Sequence, residues 1–197
     1  SLLYIHDDLS EYICRQQGEA SLAWQLTQEF FTLLHRDPGR VVVLTLEWQI
    51  ERLLAQGYYD APFALAIGIS RAGERIAQQL HAKTGWFPNI TRMDITREED
   101  GHGGYNVVST TGIPLAQQLP TLDAASSLAV VDDTVFSGLT MRTVLQALPP
   151  EVRAHTHAFC LRGVAGSLAT IAALCPITAG FAAPGRLLDE VSFINAS

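Results

Sequence analysis

Strand-length segments separated by helical patterns constrain this chain more than any other feature. Apolar runs at 63–69, 128–131, 157–161 and 177–182, with a further strand candidate at 89–96, make five in all. The apolar runs do not alternate with polar residues, so a strand built from them must be covered on both faces. The covers are at hand. Ile76, Ala77 and Leu80 recur at helical spacing after the first run, Val144, Leu145 and Leu148 after 128–131, and a helix is expected near 167–174. The alternation predicts an α/β chain with a parallel sheet of about five strands and helices on both faces. A length of 197 residues suits one domain, or one domain with a small appendage.

The first sixty residues have a different texture. Leu22, Trp24, Leu26, Phe30, Phe31 and Leu34 give a helix with one apolar face, which Asp37-Pro38-Gly39 ends. Val41-Val42-Val43-Leu44 reads as a short strand or the entry to a second helix, and Leu46, Ile50, Leu53 and Leu54 return to helical spacing. Residues 1–60 are therefore expected to form a mostly helical extension, and 61–197 the α/β core with a short C-terminal tail.

Thirteen Lys and Arg against twenty Asp and Glu leave a net charge of −7, which disfavours the cationic footprint of a nucleic-acid binder. No uninterrupted stretch of about twenty apolar residues is present, so no membrane span is expected. Cys14, Cys160 and Cys175 are odd in number and widely spaced, which argues against a disulfide framework or zinc site and for a reducing, cytoplasmic compartment. Ser1-Leu2-Leu3-Tyr4 has no basic n-region, and no signal peptide is expected.

In open parallel sheets ligands bind beyond the carboxyl ends of the strands, near the reversal of strand order. Two polar segments fall at such ends. In the richer one, the strand Leu128-Ala129-Val130-Val131 leads to Asp132 and Asp133, then to Thr134, Val135, Phe136, Ser137, Gly138, Leu139 and Thr140, where a helix begins. A helix N-terminus offers unpaired N–H groups and a positive dipole end, Gly138 permits close backbone approach, and the hydroxyls add donors. Such a turn cradles a phosphate. The carboxylates repel a phosphate but accept hydrogen bonds from a neighbouring diol, or hold a hydrated Mg²⁺ through water. The ligand so described is a ribose 5-phosphate. The other segment is Ser70-Arg71-Ala72-Gly73, where backbone amides and Arg71 suit a second anion.

Residues 128–140 resemble the phosphoribosyl pyrophosphate (PRPP) motif of the type I phosphoribosyltransferases: an apolar strand, Asp-Asp, three variable residues, Ser or Thr, Gly, any residue, Thr. Every defining position matches. Residues 141–148 look like the helix that follows it in the uracil phosphoribosyltransferase and pyrimidine-operon-regulator branch. Ser70, Arg71, Ala72 and Gly73 resemble the family's pyrophosphate loop, with Ala72 where Gly is common. Residues 94–99 resemble the regulator version of the family's flexible loop, and His102-Gly103 the orotate version. The loop here contains no Lys, which leaves Arg97 and His102 as its cationic or donor groups.

The resemblance implies a Rossmann-like core, a flexible β-ribbon and a hood built from the termini. It implies transfer of ribose 5-phosphate from PRPP to a nucleobase-like acceptor with release of pyrophosphate, with Mg²⁺ as cofactor and often a homodimer as the assembly. Asp132 and Asp133 are expected to orient the ribose and the metal shell. Residues 134–140 would grip the 5-phosphate, 70–73 the pyrophosphate, and Arg97 and His102 would arrive with the ribbon. The hood has two candidates, residues 1–60 and the tail Phe181-Ala182-Ala183-Pro184-Gly185-Arg186. Two other readings use the same cradle: a non-catalytic PRPP- or nucleotide-binding regulator, and a hydrolase of a ribosyl phosphate bond. His155 and His157 alternate on a strand without a third ligand, and Ser109, His102 and Asp100 lack a nucleophile elbow. Neither group is expected to be a site.

Overall fold

The computed structural model describes residues 3–57, 62–121, 123, 125–184 and 190–192. In chain order the elements are β1 (Leu3–Asp7), α1 (Leu9–Gln17), α2 (Leu22–Leu34), β2 (Val41–Thr45), α3 (Leu46–Leu54), β3 (Leu65–Ile69), α4 (Ser70–Thr84), β4 (Ile90–Met93) and β5 (Ile95–Glu99). They continue as β6 (Tyr105–Ser109), α5 (Leu115–Gln118), β7 (Leu128–Val135), α6 (Leu139–Ala147), α7 (Pro150–Arg153), β8 (Thr156–Val164), α8 (Ala165–Ala172), β9 (Ile177–Ala183) and β10 (Glu190–Ser192). The chain divides into two compact units, Ser1–Glu51 with Arg186–Ser197, and Arg52–Gly185. The division falls inside α3.

The larger unit is built on a five-stranded sheet of order β4-β3-β7-β8-β9, parallel throughout. The α/β expectation holds. Successive side chains point to opposite faces. On one face Ile67, Ile69, Leu128, Val130, Ala158 and Cys160 meet Met141, Val144 and Leu145 of α6 and Leu168 and Ile171 of α8. On the other face lie Ala66, Gly68, Ala129 and Val131, all buried and mostly small. Their size lets α4 approach the sheet at backbone distance. A methyl group on Gly68 would overlap the backbone N of Glu74, and one on Gly73 the carbonyl oxygen of Val131. The chain passes from β3 through α4 to β4 on one side, and from β7 through β8 to β9 on the other, so strand order reverses between β3 and β7.

The expected strand at 89–96 divides in two. Asp94 leaves the ladder, with its N–H on Gln118 Oε1 at 2.8 Å and its carboxylate on Arg92 Nε at 2.7 Å. β4 stays in the sheet, while β5 pairs antiparallel with β6 as a separate hairpin.

The smaller unit holds a three-stranded parallel sheet of order β10-β1-β2. The first sixty residues are thus less helical than expected. Val41-Val42-Val43 resolves as β2 because β-branched side chains suit the pleated surface, and Thr45 Oγ1 then accepts the N–H of Trp48 at the start of α3. Of the tail at 181–186, Phe181–Ala183 end β9, and Gly185 and Arg186 lie outside the described residues.

Candidate functional site

The carboxyl ends of β3 and β7 are neighbours in the sheet, and a helix starts from each. Expected to end at Val131, β7 instead runs to Val135. Its partner β8 is long enough to carry it, pairing Asp132 with Cys160, Thr134 with Arg162 and Val135 with Gly163. Asp132, Asp133, Thr134 and Val135 are therefore strand residues, fixed by the ladder. The connection to α6 is only Phe136, Ser137 and Gly138. Gly138 has φ 74°, the left-handed region, and Ser137 Oγ accepts the N–H of Leu139 at 3.3 Å. Leu139 and Thr140 open the helix.

The second segment departs from expectation. Ser70, Arg71, Ala72 and Gly73 form the first turn of α4 rather than a loop. Gly73 lies against the backbone of β7, where a Cβ would stand 3.3 Å from Asp132 Cα. That contact brings the start of α4 to the aspartates. Among the described residues Ser70 alone, apart from glycines, has positive φ, at 56°. Its hydroxyl donates to the carbonyl of Ile95 at 2.6 Å, so the side chain is committed to the hairpin while Arg71 stays exposed.

The two carboxylates are not equivalent. Asp132 is 8% exposed, and its Oδ1 accepts the N–H of Asp133 at 2.8 Å. Burial, and then the charge of Asp133, push its carboxyl well above the usual carboxylate range; Arg97 acts in the opposite direction. Asp133 reaches solvent, and its Oδ1 accepts the N–H of Thr134 at 2.7 Å. Arg162, itself buried, stands 3.8 Å from Asp133 Oδ2. The sequence reading missed Arg162 because it ended the strand at Leu161. The available signal was a cation at the end of an apolar strand, which requires a partner once buried.

The hairpin supplies the remaining candidates. The Arg97 guanidinium lies over the ring of Phe136, 6.0 Å from its centroid. His102 sits at the exposed tip. There Asp100 Oδ1 accepts the N–H groups of His102 and Gly104 at 2.8 and 2.9 Å, which hold the Asp100 carboxyl below its usual range. Of the two, Arg97 is the one in contact with the 132–140 segment. Gln118 Nε2 donates to Ser109 Oγ at 3.0 Å and to Ile113 O at 2.9 Å, tying the hairpin base to α5.

Outside this region, His157 Nε2 meets Thr178 Oγ1 at 2.8 Å and the ring stacks on Phe159, a structural role. Among the described residues no group of three His, Cys, Asp or Glu could hold a metal ion. The donor set fits a hydrated Mg²⁺ that comes with an anionic ligand: two adjacent carboxylates, one open to solvent. No helix of the described residues is long and apolar enough to cross a membrane.

The five-stranded parallel sheet flanked by helices is an α/β fold that solved phosphoribosyltransferases also have. A purine phosphoribosyltransferase from Pyrococcus horikoshii Ot3 shares it, with a TM-score of 0.53 at 22% identity over 76% of this chain and 90% of that one. A hypothetical protein from Neisseria gonorrhoeae with bound ppGpp shares it with a TM-score of 0.50 at 13% identity, over 76% of this chain and 86% of that one. At these identities the likeness establishes the fold. No protein-family model matches the chain, and no curated protein matches it.

Proposed function

We propose that the chain transfers ribose 5-phosphate from PRPP to a nucleobase-like acceptor and releases pyrophosphate. The observation that carries this reading is the meeting of Asp132 and Asp133 with the first turns of α4 and α6 at the point where strand order reverses. Two anion-binding helix starts on one carboxylate pair match a donor with a phosphate at each end of a diol.

In this reading the amides of Leu139 and Thr140, with the hydroxyls of Thr134, Ser137 and Thr140, receive the 5-phosphate. Asp132 and Asp133 accept hydrogen bonds from the ribose hydroxyls. The first turn of α4, with Arg71, takes the pyrophosphate, and Arg97 adds charge from the hairpin. Burial, and then the charge of Asp133, raise the affinity of the Asp132 carboxyl for a proton. Asp132 and Asp133 would hold Mg²⁺ through water, and the ion would supply neutralisation of the charge on the leaving pyrophosphate. Breaking the glycosidic bond develops oxocarbenium character, so the protein acts by positioning both ends of the donor and excluding water. The free thiols of Cys14, Cys160 and Cys175 suit a cytoplasmic setting.

The test is pyrophosphate release from PRPP and Mg²⁺ with a panel of purine and pyrimidine bases and a no-base control. One base should drive release. The double variant Asp132→Asn with Asp133→Asn should lose it by about a thousandfold, with an unchanged circular dichroism spectrum. Release independent of base would assign a hydrolase instead. Donor binding without any release would assign a regulator.

A further inference from the structure

Phe136 is an exposed aromatic ring, 38% accessible, on the connection that follows the twin aspartates of β7. It stands on a three-residue connection fixed at both ends, by the pairing of Val135 with Gly163 and by the left-handed Gly138. The backbone that carries the ring is therefore held in place at both ends. Arg97, which lies over the ring, is carried by the β5–β6 hairpin. In the hairpin, alternate residues share a face, so Ile95, Arg97 and Val107 point the same way. Ile95 is buried in the core cluster, and Val107 packs against that cluster from the edge. The inward face of the hairpin is thus docked on the core, with Arg97 as its cation. The carbonyl of Ile95, two residues before Arg97, accepts the hydroxyl of Ser70, the first residue of α4. One element ties the start of α4 to the connection before α6.

We propose that Phe136 is a positioning residue for Arg97, its ring holding the guanidinium at the mouth of the carboxylate pair so that it meets the pyrophosphate end of the donor. The leaving-group role rests on the phosphoribosyltransferase reading; the positioning itself does not. At 6.0 Å the guanidinium is at the outer limit of a cation–π contact. It is exposed and oriented by the ring, yet free to transfer to an anion that offers a stronger, bidentate contact. The residue at 136 sits at a variable position of the motif, which explains why the motif alone assigns it no task.

The experiment uses the full chain with Phe136→Leu, which keeps bulk without the ring, Phe136→Tyr, which keeps the ring, and Arg97→Met. Two quantities are measured: binding of inorganic pyrophosphate with Mg²⁺, and hydrogen exchange of the 95–109 amides without ligand. Phe136→Leu and Arg97→Met should each weaken pyrophosphate binding about three- to tenfold. The double variant should be no weaker than Arg97→Met alone, and Phe136→Tyr should restore binding. Exchange in the hairpin should accelerate in Phe136→Leu and not in Phe136→Tyr. Losses that multiply in the double variant, or unchanged exchange in Phe136→Leu, overturn the proposal. If the wild type binds no pyrophosphate, the phosphoribosyltransferase reading fails, and the exchange data alone uphold or overturn the positioning role.

Discussion

His157 stacks on Phe159 with ring centroids 4.6 Å apart, and its surroundings push its pKa down to about 4 by burial. An unfolded histidine titrates near 6.5, so between those values the unfolded chain binds the extra proton and the folded one does not. Stability from this group is present above pH 6.5 and is lost as pH falls towards 4. The site is partly solvated, so the full shift is discounted to about 1–2 kcal/mol. Urea unfolding at pH 7 and pH 5 should show wild type losing that much more than His157→Gln; equal losses would remove the assignment. The same residue marks what a sequence can reveal at this scale. Its contact with Thr178 was not readable, because that residue lies 21 positions away on a neighbouring strand. Asp132 and Asp133 stood out as candidates because a strand ending in twin acids before a hydroxyl- and glycine-bearing turn is chemically unusual. Arg162 did not, because its significance lies in a neighbouring strand that places it beside Asp133. Nor did the role of Ser70, whose hydroxyl is occupied by Ile95, a residue 25 positions away.

At the scale of elements, the helix that approaches the sheet at backbone distance is the one whose first turn is proposed to take the pyrophosphate. Gly68 and Gly73 permit that approach. An added methyl on Gly73 would overlap the Val131 carbonyl oxygen, a rigid backbone atom that cannot yield as a flexible side chain does. Gly73→Ala should therefore push α4 off β7 and destabilise the protein by about 2–3 kcal/mol, read as a lower urea midpoint with an unchanged slope. Gly101→Ala provides the comparison. It has φ 76° but nothing within 4 Å of a Cβ, so its cost is backbone strain of about 1 kcal/mol without displacement of an element. Equal costs for the two would show that close packing does not hold α4 in place. The sheet strands were legible because unalternating apolar runs can only be buried on both faces. Boundaries were less so. β7 extends four residues past its apolar run because hydrogen bonds from β8 hold Asp132 to Val135 extended, and ladder partners distant in sequence leave no periodic trace. The turn at Ser70 read as a loop because its serine and glycine resemble loop residues. In the structure, Gly73 faces β7 and the helix begins three residues earlier.

At the scale of the molecule, both termini contribute to one unit, and every residue assigned to the donor lies in the other, within Arg52–Gly185. Strand β10 pairs with β1 across almost the whole length of the chain, a non-local pairing that no local pattern announces. The separation has a thermodynamic consequence. A ligand that binds only folded protein stabilises it by about 2.7 kcal/mol at a hundred times its dissociation constant. For chains of this size that corresponds to a melting shift of about 5–10 °C. The stabilisation belongs first to the unit that holds the ligand. The tryptophans allow the two to be watched separately: Trp24 and Trp48 belong to the terminal unit, and Trp86, 3% exposed and packed 5.9 Å from Phe159, belongs to the sheet unit. In the variant Trp24→Phe with Trp48→Phe, fluorescence reports Trp86 alone. PRPP with Mg²⁺ should raise the midpoint of that signal by the stated amount, and ribose 5-phosphate, which lacks the pyrophosphate, should raise it less. Asp132→Asn with Asp133→Asn should abolish the difference between the two ligands, because the contacts that join the phosphate ends run through the ribose. A Trp86 transition that PRPP leaves in place would mean that the carboxyl ends of β3 and β7 do not hold this donor, whatever fold surrounds them.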